Sequence, residues 1–275
     1  SLIRLDRSTL KQTVLARSDS PTGMDVVSDS TNAFTVSPVT FFSGGKLSKI
    51  NIAGGQVERI AFVGESASGG IALDKTGTNA YITSSGFGGA HIQKVDLTTG
   101  RTNVVASWPL QLLGLALEGN GTTALVAVND VKSLLRVNLI SGAASLISDK
   151  LRNPTSVAVE NDGVSVLVLE AGVDSAIARV DLRTGAVTRP AAGLGSIMGT
   201  DLSSRIAFEP DEKNVLVSGF SVLARVNLDT GAATIIRSNI CALSGGRLSG
   251  LFVESSGNTV LLSHDVCGIL RVRVK

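Results

Sequence analysis

Apolar and polar positions alternate along this chain in short segments that return at a regular interval. Each segment carries a basic residue between apolar ones and ends on an Asp or Asn flanked by aliphatic residues in most copies. Six copies are present, at residues 47–52, 92–97, 134–139, 177–182, 223–228 and 269–274, and a partial copy stands at residues 3–6. Alternation with a period of two predicts β-strands that are half buried.

The spacing of these segments indicates a repeat architecture. The basic residue recurs at positions 4, 49, 94, 136, 179, 225 and 271, so the successive intervals are 45, 45, 42, 43, 46 and 46 residues. A period of this length without a helical pattern is typical of propellers and solenoids.

Each unit contains four strands by its pattern. A glycine turn and another strand follow the basic segment, and a second motif, apolar and ending in an acid, leads the next unit. This lead motif stands at residues 70–74, 114–118, 156–160, 205–209 and 250–254, with a degenerate copy at 25–29. Four antiparallel strands per repeat predict an all-β, six-bladed β-propeller whose blades start near residues 24, 69, 113, 155, 204 and 249.

The two ends of the chain are expected to meet in one blade. The last unit ends at its third strand, residues 269–274, and residues 10–16 are the simplest source of its fourth. Joining the termini removes an open sheet edge, so residues 1–18 would complete the last blade of a single domain covering residues 1–275. Residues 2–6 are then surplus and either add a fifth outer strand or displace the C-terminal one. Seven blades remain an alternative if the chain is a fragment.

Composition narrows the classes of partner. Acids and bases are interspersed with a net charge of +2, and the chain has one Trp and one Tyr, so a nucleic-acid partner is not expected. No apolar run approaches the ~20 residues of a membrane-spanning helix, so membrane insertion is not expected either. Ser1 does not begin a basic segment followed by an apolar stretch, which suggests that any signal peptide is already absent. We expect a monomer.

The units resemble those of NHL-type propellers, in the wider group that includes gluconolactonase-like hydrolases and virginiamycin B lyase. The likeness rests on the lead motif at residues 156–163 and on the Arg-Val-Asp-Leu-x-Thr-Gly motif at residues 179–185. The resemblance implies the propeller fold over nearly the whole chain. It also implies a site at the channel mouth, because the gluconolactonase-like enzymes hold a divalent cation there. Virginiamycin B lyase depends on a histidine and a glutamate at its mouth, for which His264 and Glu170 would be the counterparts.

Charges that repeat in every unit are interpreted as structural. Each lead motif ends in an acid and each third strand carries a base, which predicts ion pairs or turn caps rather than one active site. The acids are Asp29, Asp74, Glu118, Glu160, Glu209 and Glu254, and the bases are Lys49, Lys94, Arg136, Arg179, Arg225 and Arg271.

Function is expected where the repeat breaks, on the rim formed by the loops that lead into each first strand and the loops between second and third strands. At the position opening the lead motif the units offer Asp25, Gly70, Gly114, Ser156, Arg205 and Gly250, so small residues would widen the mouth between two opposite charges. The second-to-third-strand loops contribute His91, Asn129, Asp130, Lys132, Glu170, His264 and Asp265.

These residues support two kinds of site. A histidine beside carboxylates can act as a general base, so the catalytic candidates are His264, Asp265, Glu170 and Arg205. Ca²⁺ or another divalent cation would bind oxygen ligands, for which Asp25, Asn129 and Asp130 are the candidates, although no cofactor is assured. The ligand-binding candidates are Asp25, His91, Asn129, Asp130 and Lys132.

Cys241 and Cys267 are the chain's two cysteines and are predicted to lie in loops on the same face of the last blade. A disulfide fits that placement and favours a secreted or periplasmic protein. Two buried thiols, or zinc held with His264, are the alternatives, but the spacing matches no ordinary zinc motif.

Two classes of function follow. The favoured one is a binding module that recognises an unknown protein or carbohydrate ligand at the channel mouth. The alternative is a hydrolase or lyase whose active site lies at that mouth and uses His264 as its base. No nucleophile motif of the Gly-x-Ser-x-Gly or His-Glu-x-x-His kind is present to favour the enzyme.

Overall fold

Six small sheets form the protein in a computed structural model that describes residues 2–3, 14–16, 21–26, 31–38, 44–63, 67–86, 89–198, 202–241 and 246–274. Two N-terminal strands, β1 (Leu2–Ile3) and β2 (Val14–Ala16), precede the first blade. Blade one contains β3 (Gly23–Val26), β4 (Asn32–Pro38), β5 (Gly45–Asn51) and β6 (Val57–Val63). Blade two contains β7 (Ala67–Leu73), β8 (Asn79–Gly86), β9 (Gly89–Asp96) and β10 (Thr102–Trp108).

The later blades repeat this plan. Blade three contains β11 (Leu112–Leu117), β12 (Thr123–Val128), β13 (Ser133–Asn138) and β14 (Ala144–Ser148). Blade four contains β15 (Pro154–Val159), β16 (Ser165–Glu170), β17 (Ala176–Asp181) and β18 (Val187–Ala191), followed by the one-turn helix α1 (Gly195–Met198). Blade five contains β19 (Arg205–Phe208), β20 (Asn214–Gly219), β21 (Val222–Asn227) and β22 (Ala233–Arg237). Blade six begins with β23 (Leu248–Val253), β24 (Thr259–His264) and β25 (Gly268–Arg273).

The six-bladed propeller predicted from the repeat is confirmed. In blades one to five, consecutive strands pair antiparallel in chain order, and the first strand of each blade contacts the first strands of its neighbours. These first strands, β3, β7, β11, β15, β19 and β23, are called the lead strands below, and they surround the central channel.

Blade six is completed by the N-terminus. Strand β2 pairs antiparallel with β25, with Val14 opposite Leu270 and Ala16 opposite Ile269. Strand β1 pairs with β2 and touches β25 in parallel, so this sheet has five strands. The predicted closing strand is therefore present over residues 14–16, and residues 2–3 lie in a fifth strand. The rest of both predicted segments lies outside the described residues.

The hydrophobic core consists of layers between blades. One layer packs Leu216 and Leu223 of blade five against Leu262 and Leu270 of blade six. Another packs Met24 of blade one against strands of blade six, and four further layers fill the other junctions. Each sheet is covered on both faces, which explains the nearly continuous apolar runs of the second strands.

The hairpin after each third strand follows the repeated motif. In blade four, Oδ1 of Asp181 accepts hydrogen bonds from the amides of Arg183 and Thr184, at 2.9 and 2.6 Å. Gly185 has a φ of 69° there, and a Cβ on it would lie 2.1 Å from the carbonyl oxygen of Ile147 in blade three. Both the turn and the contact with the next blade therefore require glycine.

The repeated charges form ion pairs inside blades, as predicted. Arg136 donates from Nε and Nη2 to the two carboxylate oxygens of Glu118, at 2.7 and 2.8 Å. Equivalent ion pairs join Arg179 to Glu160, Arg225 to Glu209, and Arg271 to Glu254. Blade two differs, because Asp74 accepts bonds from Thr76, Thr78 and Asn79 of its own turn. Asp29 lies outside the described residues.

Candidate functional site

A cavity of about 330 Å³ lies in the channel. It extends from the middle of the lead strands to the turns that follow them in blades two and three. Its lining includes Asp25 and Arg205 together with Ser156, Lys75 and Glu118, and the remaining lining residues are Met24, Gly70, Ile71, Ala72, Leu73, Gly114, Leu115, Ala116, Leu117, Gly119, Gly121, Val157, Ile206 and Leu251. This space is called the channel cavity below.

Small residues at the start of the lead motif join the blades rather than widen the channel mouth. A Cβ on Gly114 would lie 2.7 Å from Cα of Ser156, and one on Gly250 would lie 2.6 Å from Cβ of Met24. A Cβ on Gly70 would lie 2.3 Å from the carbonyl oxygen of Leu113. The lead strands of adjacent blades approach so closely here that no side chain fits. The expectation that these glycines open an entrance is thus corrected.

The predicted alignment of Asp25 with these glycines is wrong by two residues. Asp25 lies opposite Phe34, which pairs with Lys49, just as Ala72 lies opposite Tyr81, which pairs with Lys94, so Gly23 is the residue that matches Gly70.

Asp25 bonds to the next blade further along the lead strand. Its Oδ2 accepts a hydrogen bond from the amide of Leu73 in blade two at 2.8 Å, and its Oδ1 accepts from the amide of Val26 at 2.8 Å. Ser156, which does stand at the glycine position, joins blades four and five, where its hydroxyl accepts from the amide of Ile206 at 3.3 Å. Polar side chains at two different positions of the lead strands therefore bind the neighbouring lead strand.

The environment of Asp25 changes its acidity. Burial raises its pKa to about 6, against the two backbone hydrogen bonds from Leu73 and Val26, which lower it. Asp25 also borders a second space of about 350 Å³, which lies between it, Phe252 and the turn at Lys75 to Gly77. A carboxyl group that titrates near neutral pH beside open space can exchange a proton with a ligand or bind a cation.

Arg205 stands at the start of its lead strand, β19, and is held by backbone carbonyl groups. Its Nη1 donates to the carbonyl oxygens of Ser203 and Ser204, at 2.9 and 3.0 Å, and its Nη2 donates to the carbonyl oxygen of Thr22 at 3.0 Å. Thr22 leads into blade one, so the guanidinium links blade five to the segment entering the next blade but one. Arg205 is thus a positive charge held in place in the lining of the channel cavity.

The channel cavity shares only part of its lining with the rim predicted from the sequence. Among the described residues, its lining includes the turns after the lead strands and none of the second-to-third-strand loops. Lys75, Glu118 and Gly119 line it and were missed as site residues, because their turns follow the repeat and carry no unusual chemistry. A usable signal was Arg205, a long side chain at a position that is small in most blades.

Glu170 lies in a closed ion pair outside the channel cavity. Its side chain is 1% exposed, and its two oxygens accept from Nε and Nη2 of Arg189, at 2.8 and 2.9 Å. Its Oε1 also accepts from the amide of Arg152 at 2.8 Å. These contacts stabilise the loop that leads into blade four, and a catalytic role for Glu170 stays a prediction.

The predicted ligands on blade three hold loops together. Oδ2 of Asp130 accepts from the amide of Gln111 at 2.7 Å, and the side-chain amide of Asn129 donates to the carbonyl oxygen of Pro154 at 3.4 Å. Lys132 adopts a positive φ of 54° in the same loop. His91 lies on β9, where its Nδ1 is 2.8 Å from the hydroxyl of Ser107 on β10. The structure does not place these four residues in the channel cavity with Asp25.

His264 is buried beside the disulfide of blade six. Its side chain is 1% exposed, and Nδ1 accepts from the amides of Val266 and Cys267, at 3.1 and 3.3 Å. Oδ1 of Asp265 is 3.3 Å from the same nitrogen and accepts from the amide of Arg247. Burial lowers the pKa of His264, while the charge of Asp265 raises it in part, so the ring is neutral at pH 7. A base at this position does not reach the channel cavity.

Cys241 and Cys267 form the predicted disulfide, with their Cα atoms 6.3 Å apart. In the described part of the chain, only these cysteines and His264 form a group of three or more His, Cys, Asp or Glu side chains close enough to hold a metal ion. Of the three ligands expected for an oxygen site, Asp25 lines the channel cavity, whereas Asn129 and Asp130 do not. A metal at that site stays a prediction.

Comparison with known proteins shows the fold and no closer relationship. No protein-family model matches the chain, and no curated protein matches it. A chain in the crystal structure of a nidogen/laminin complex is 11% identical with a TM-score of 0.66, covering 85% of this chain and 88% of that one.

Two enzymes and a bacterial protein are similarly distant. TolB from Acinetobacter baumannii is 16% identical with a TM-score of 0.63 over 90% of this chain and 64% of its own. Oligogalacturonate lyase in complex with manganese is 12% identical with a TM-score of 0.61 over 98% and 82%. Hydrazine synthase of Kuenenia stuttgartiensis is 13% identical with a TM-score of 0.62 over 94% and 77%. In the described segments, no helix has the length and apolar character to cross a membrane.

Proposed function

We propose that this propeller is a binding module whose ligand inserts a polar group into the channel cavity. The observation that carries the proposal is the pairing of a titratable carboxyl, Asp25, with a fixed guanidinium, Arg205, in the lining of one open space. Concave sites with few, well-placed polar groups are the usual location for ligands.

A protein ligand fits this lining better than a carbohydrate. The channel cavity has no aromatic side chain among its described lining residues, so a sugar ring would find no stacking surface. Lys75 and Asp25 instead offer charges that can pair with a peptide's side chains. The volume of about 330 Å³ suits one or two inserted residues rather than a folded surface. The similar chain in the nidogen/laminin structure is at least compatible with a protein partner.

Gly119 supplies a way to test the site. A Cβ there meets no atom within 4 Å, and its turn position does not require a positive φ. Gly119→Phe should therefore fold normally and obstruct the cavity. Ser255→Phe is the matched control, because Ser255 occupies the same turn position in blade six, is exposed, and does not line the cavity.

The experiment measures binding of these variants to printed arrays of peptides and of glycans. We expect the wild type and Ser255→Phe to bind the same peptides, and Gly119→Phe to lose about 90% or more of that signal, equivalent to ~1.4 kcal/mol. Asp25→Asn should weaken binding of peptides with basic side chains. Equal binding by Gly119→Phe and wild type, or no binding to either array, would contradict the proposal.

A hydrolase or lyase remains the second candidate because Asp25 has a pKa near neutrality. In that reading Asp25 would be the acid or base, and a divalent cation such as Ca²⁺ or Mn²⁺ would join it. The catalytic roles predicted for His264, Asp265, Glu170 and Arg205 belong to this candidate as well. A cation that raises the melting temperature of wild type but not of Asp25→Asn would favour the enzyme over the binding module.

The disulfide supports a secreted or periplasmic location, since such bonds persist in oxidising compartments. Membership of the NHL-type propellers also stays part of the proposal. The location is argued from the disulfide and the family from the repeated motifs, so neither depends on what the ligand is.

A further inference from the structure

The two sulfur atoms of the blade-six disulfide form a cluster with the imidazole of His264, which a purely structural disulfide does not need. One ring nitrogen of His264 and the two sulfur atoms lie within 4.8 Å of one another, and all three residues are buried. None of the three lines the channel cavity. The group is therefore separate from the site discussed above.

One of the two ring nitrogens of His264, Nε2, makes no hydrogen bond among the described residues. Nδ1 accepts from two backbone amides, whereas Nε2 is buried without a partner there. A buried polar atom without a partner costs about 1–3 kcal/mol. Strain, a redox or catalytic role, and a bound water or ion are the usual reasons for such an atom in a native protein.

The surroundings of His264 are closely built. A Cβ on Gly246 would lie 2.0 Å from Cε1 of His264 and 2.6 Å from Oδ1 of Asp265, so the chain leading into blade six packs directly over the ring. Asp265 stands 3.3 Å from Nδ1 and is itself held by the amide of Arg247. A carboxylate beside one nitrogen of a histidine is the usual support for a metal at the other nitrogen.

We propose that Cys241, Cys267 and His264 form a zinc site when the disulfide is reduced. A dithiol reductant converts the disulfide to two thiols. Zn²⁺ then binds the two thiolates, releasing their two protons. The imidazole proton moves from Nε2 to Nδ1, which gives up its bonds from the amides of Val266 and Cys267 and donates to Asp265 instead. Nε2 is the third protein ligand, and water completes the tetrahedral arrangement that zinc prefers. The same residues thus give a disulfide in an oxidising compartment and a zinc site in a reducing one.

The test uses the whole chain, reduced with a phosphine under anaerobic conditions and checked for folding by circular dichroism. Co²⁺, a spectroscopic substitute for Zn²⁺, is added to the reduced and to the oxidised protein. We expect one equivalent to bind to the reduced form with a thiolate-to-cobalt absorption band that Zn²⁺ removes. The oxidised protein should show no band.

Variants separate this site from nonspecific thiol binding. Cys241→Ser and Cys267→Ser should each abolish the single-equivalent band, and His264→Gln should weaken cobalt binding by at least about tenfold. Asp265 is a positioning residue, so Asp265→Asn should weaken binding by about 10- to 100-fold while keeping the band. His91→Gln is the matched control, because it removes the other histidine and should change nothing.

Two results would overturn the proposal. One is a folded, reduced wild type without the thiolate band, and the other is unchanged cobalt affinity in His264→Gln. If reduction unfolds the purified protein, native mass spectrometry of chain expressed in a reducing cytosol decides the matter. A zinc adduct that His264→Gln lacks supports the site, and a folded chain free of zinc contradicts it.

Discussion

Asp25 couples the folding of this propeller to pH through a single carboxyl group. Its amide partners, Leu73 and Val26, bond to the side chain from two blades, yet burial outweighs them and raises the pKa from 3.8 to about 6. The folded state therefore holds this proton more tightly than the unfolded state does. Stability contributed by Asp25 falls as the pH rises from about 4 to about 6, with a loss of at most about 3 kcal/mol.

Asp25→Asn should remove this dependence. Relative to wild type, we expect the free energy of unfolding of Asp25→Asn to rise by about 1–3 kcal/mol between pH 4 and pH 7, after an initial loss of about 1 kcal/mol for one weakened hydrogen bond. Urea unfolding at several pH values measures the difference. Asp74→Asn is the control, and its stability relative to wild type should change with pH in the opposite direction. Burial raises the pKa of Asp74, but hydrogen bonds from Asn79, Thr76 and Thr78 outweigh burial, so the pKa is lowered overall. A difference for Asp25→Asn that stays constant with pH would refute the assignment.

At the scale of elements, the N-terminal strand is a structural part of the last blade. Ala16 of β2 pairs with Ile269 of β25, is 4% exposed, and packs in the layer that contains Met24 and Ala33 of blade one. The strand thus closes a sheet and also contributes to a junction between blades. Its sequence does not contain the basic motif, so its place follows from the missing fourth strand of the last repeat.

Ala16→Asp tests the closure. A carboxylate at this buried position should lower the free energy of unfolding by about 3 kcal/mol and the melting temperature by about 6–12 °C. Ala144→Asp is the matched control, since Ala144 lies on the outermost strand of blade three and is exposed. Differential scanning calorimetry at neutral pH compares the two. Equal melting temperatures would show that β2 does not close the blade.

Strands and ion pairs were predictable from the sequence because the same short motifs recur in successive blades and form the same strands there. In blades three to six the acid of the lead motif and the base of the third strand meet within one sheet, as Glu118 and Arg136 do. The site was less predictable, because Arg205 of blade five bonds to Thr22 at the entry to blade one, the next blade but one. That contact joins residues 183 positions apart and leaves no trace in the repeat. Likewise, helix α1 lies in the connection between blades four and five, and the described parts of the other connections contain no helix.

For the whole molecule, the closeness of the lead strands limits the size of residues near the axis. Six blades bring their lead strands together around the channel, and the tightest joints have glycine on one side. At Gly114 the opposing atoms are the backbone of Thr155 and Ser156, which cannot turn away as a side chain can. Any added atom must push blades three and four apart. Because the ring is closed, that displacement is shared with every other junction.

Gly114→Ala should therefore destabilise the whole propeller by about 1–3 kcal/mol, although it adds only one methyl group. Gly119→Ala, five residues along, is the control: its Cβ meets nothing within 4 Å, so it should be neutral or stabilising by about 0.4–1 kcal/mol through the unfolded chain. Thermal and urea unfolding of both variants give the comparison. If Gly114→Ala matches wild type while Gly119→Ala behaves as expected, the lead strands have room to separate, and close packing does not determine the width of the channel. A loss confined to Gly114→Ala instead means that the same contacts that close the ring determine the space available to a ligand.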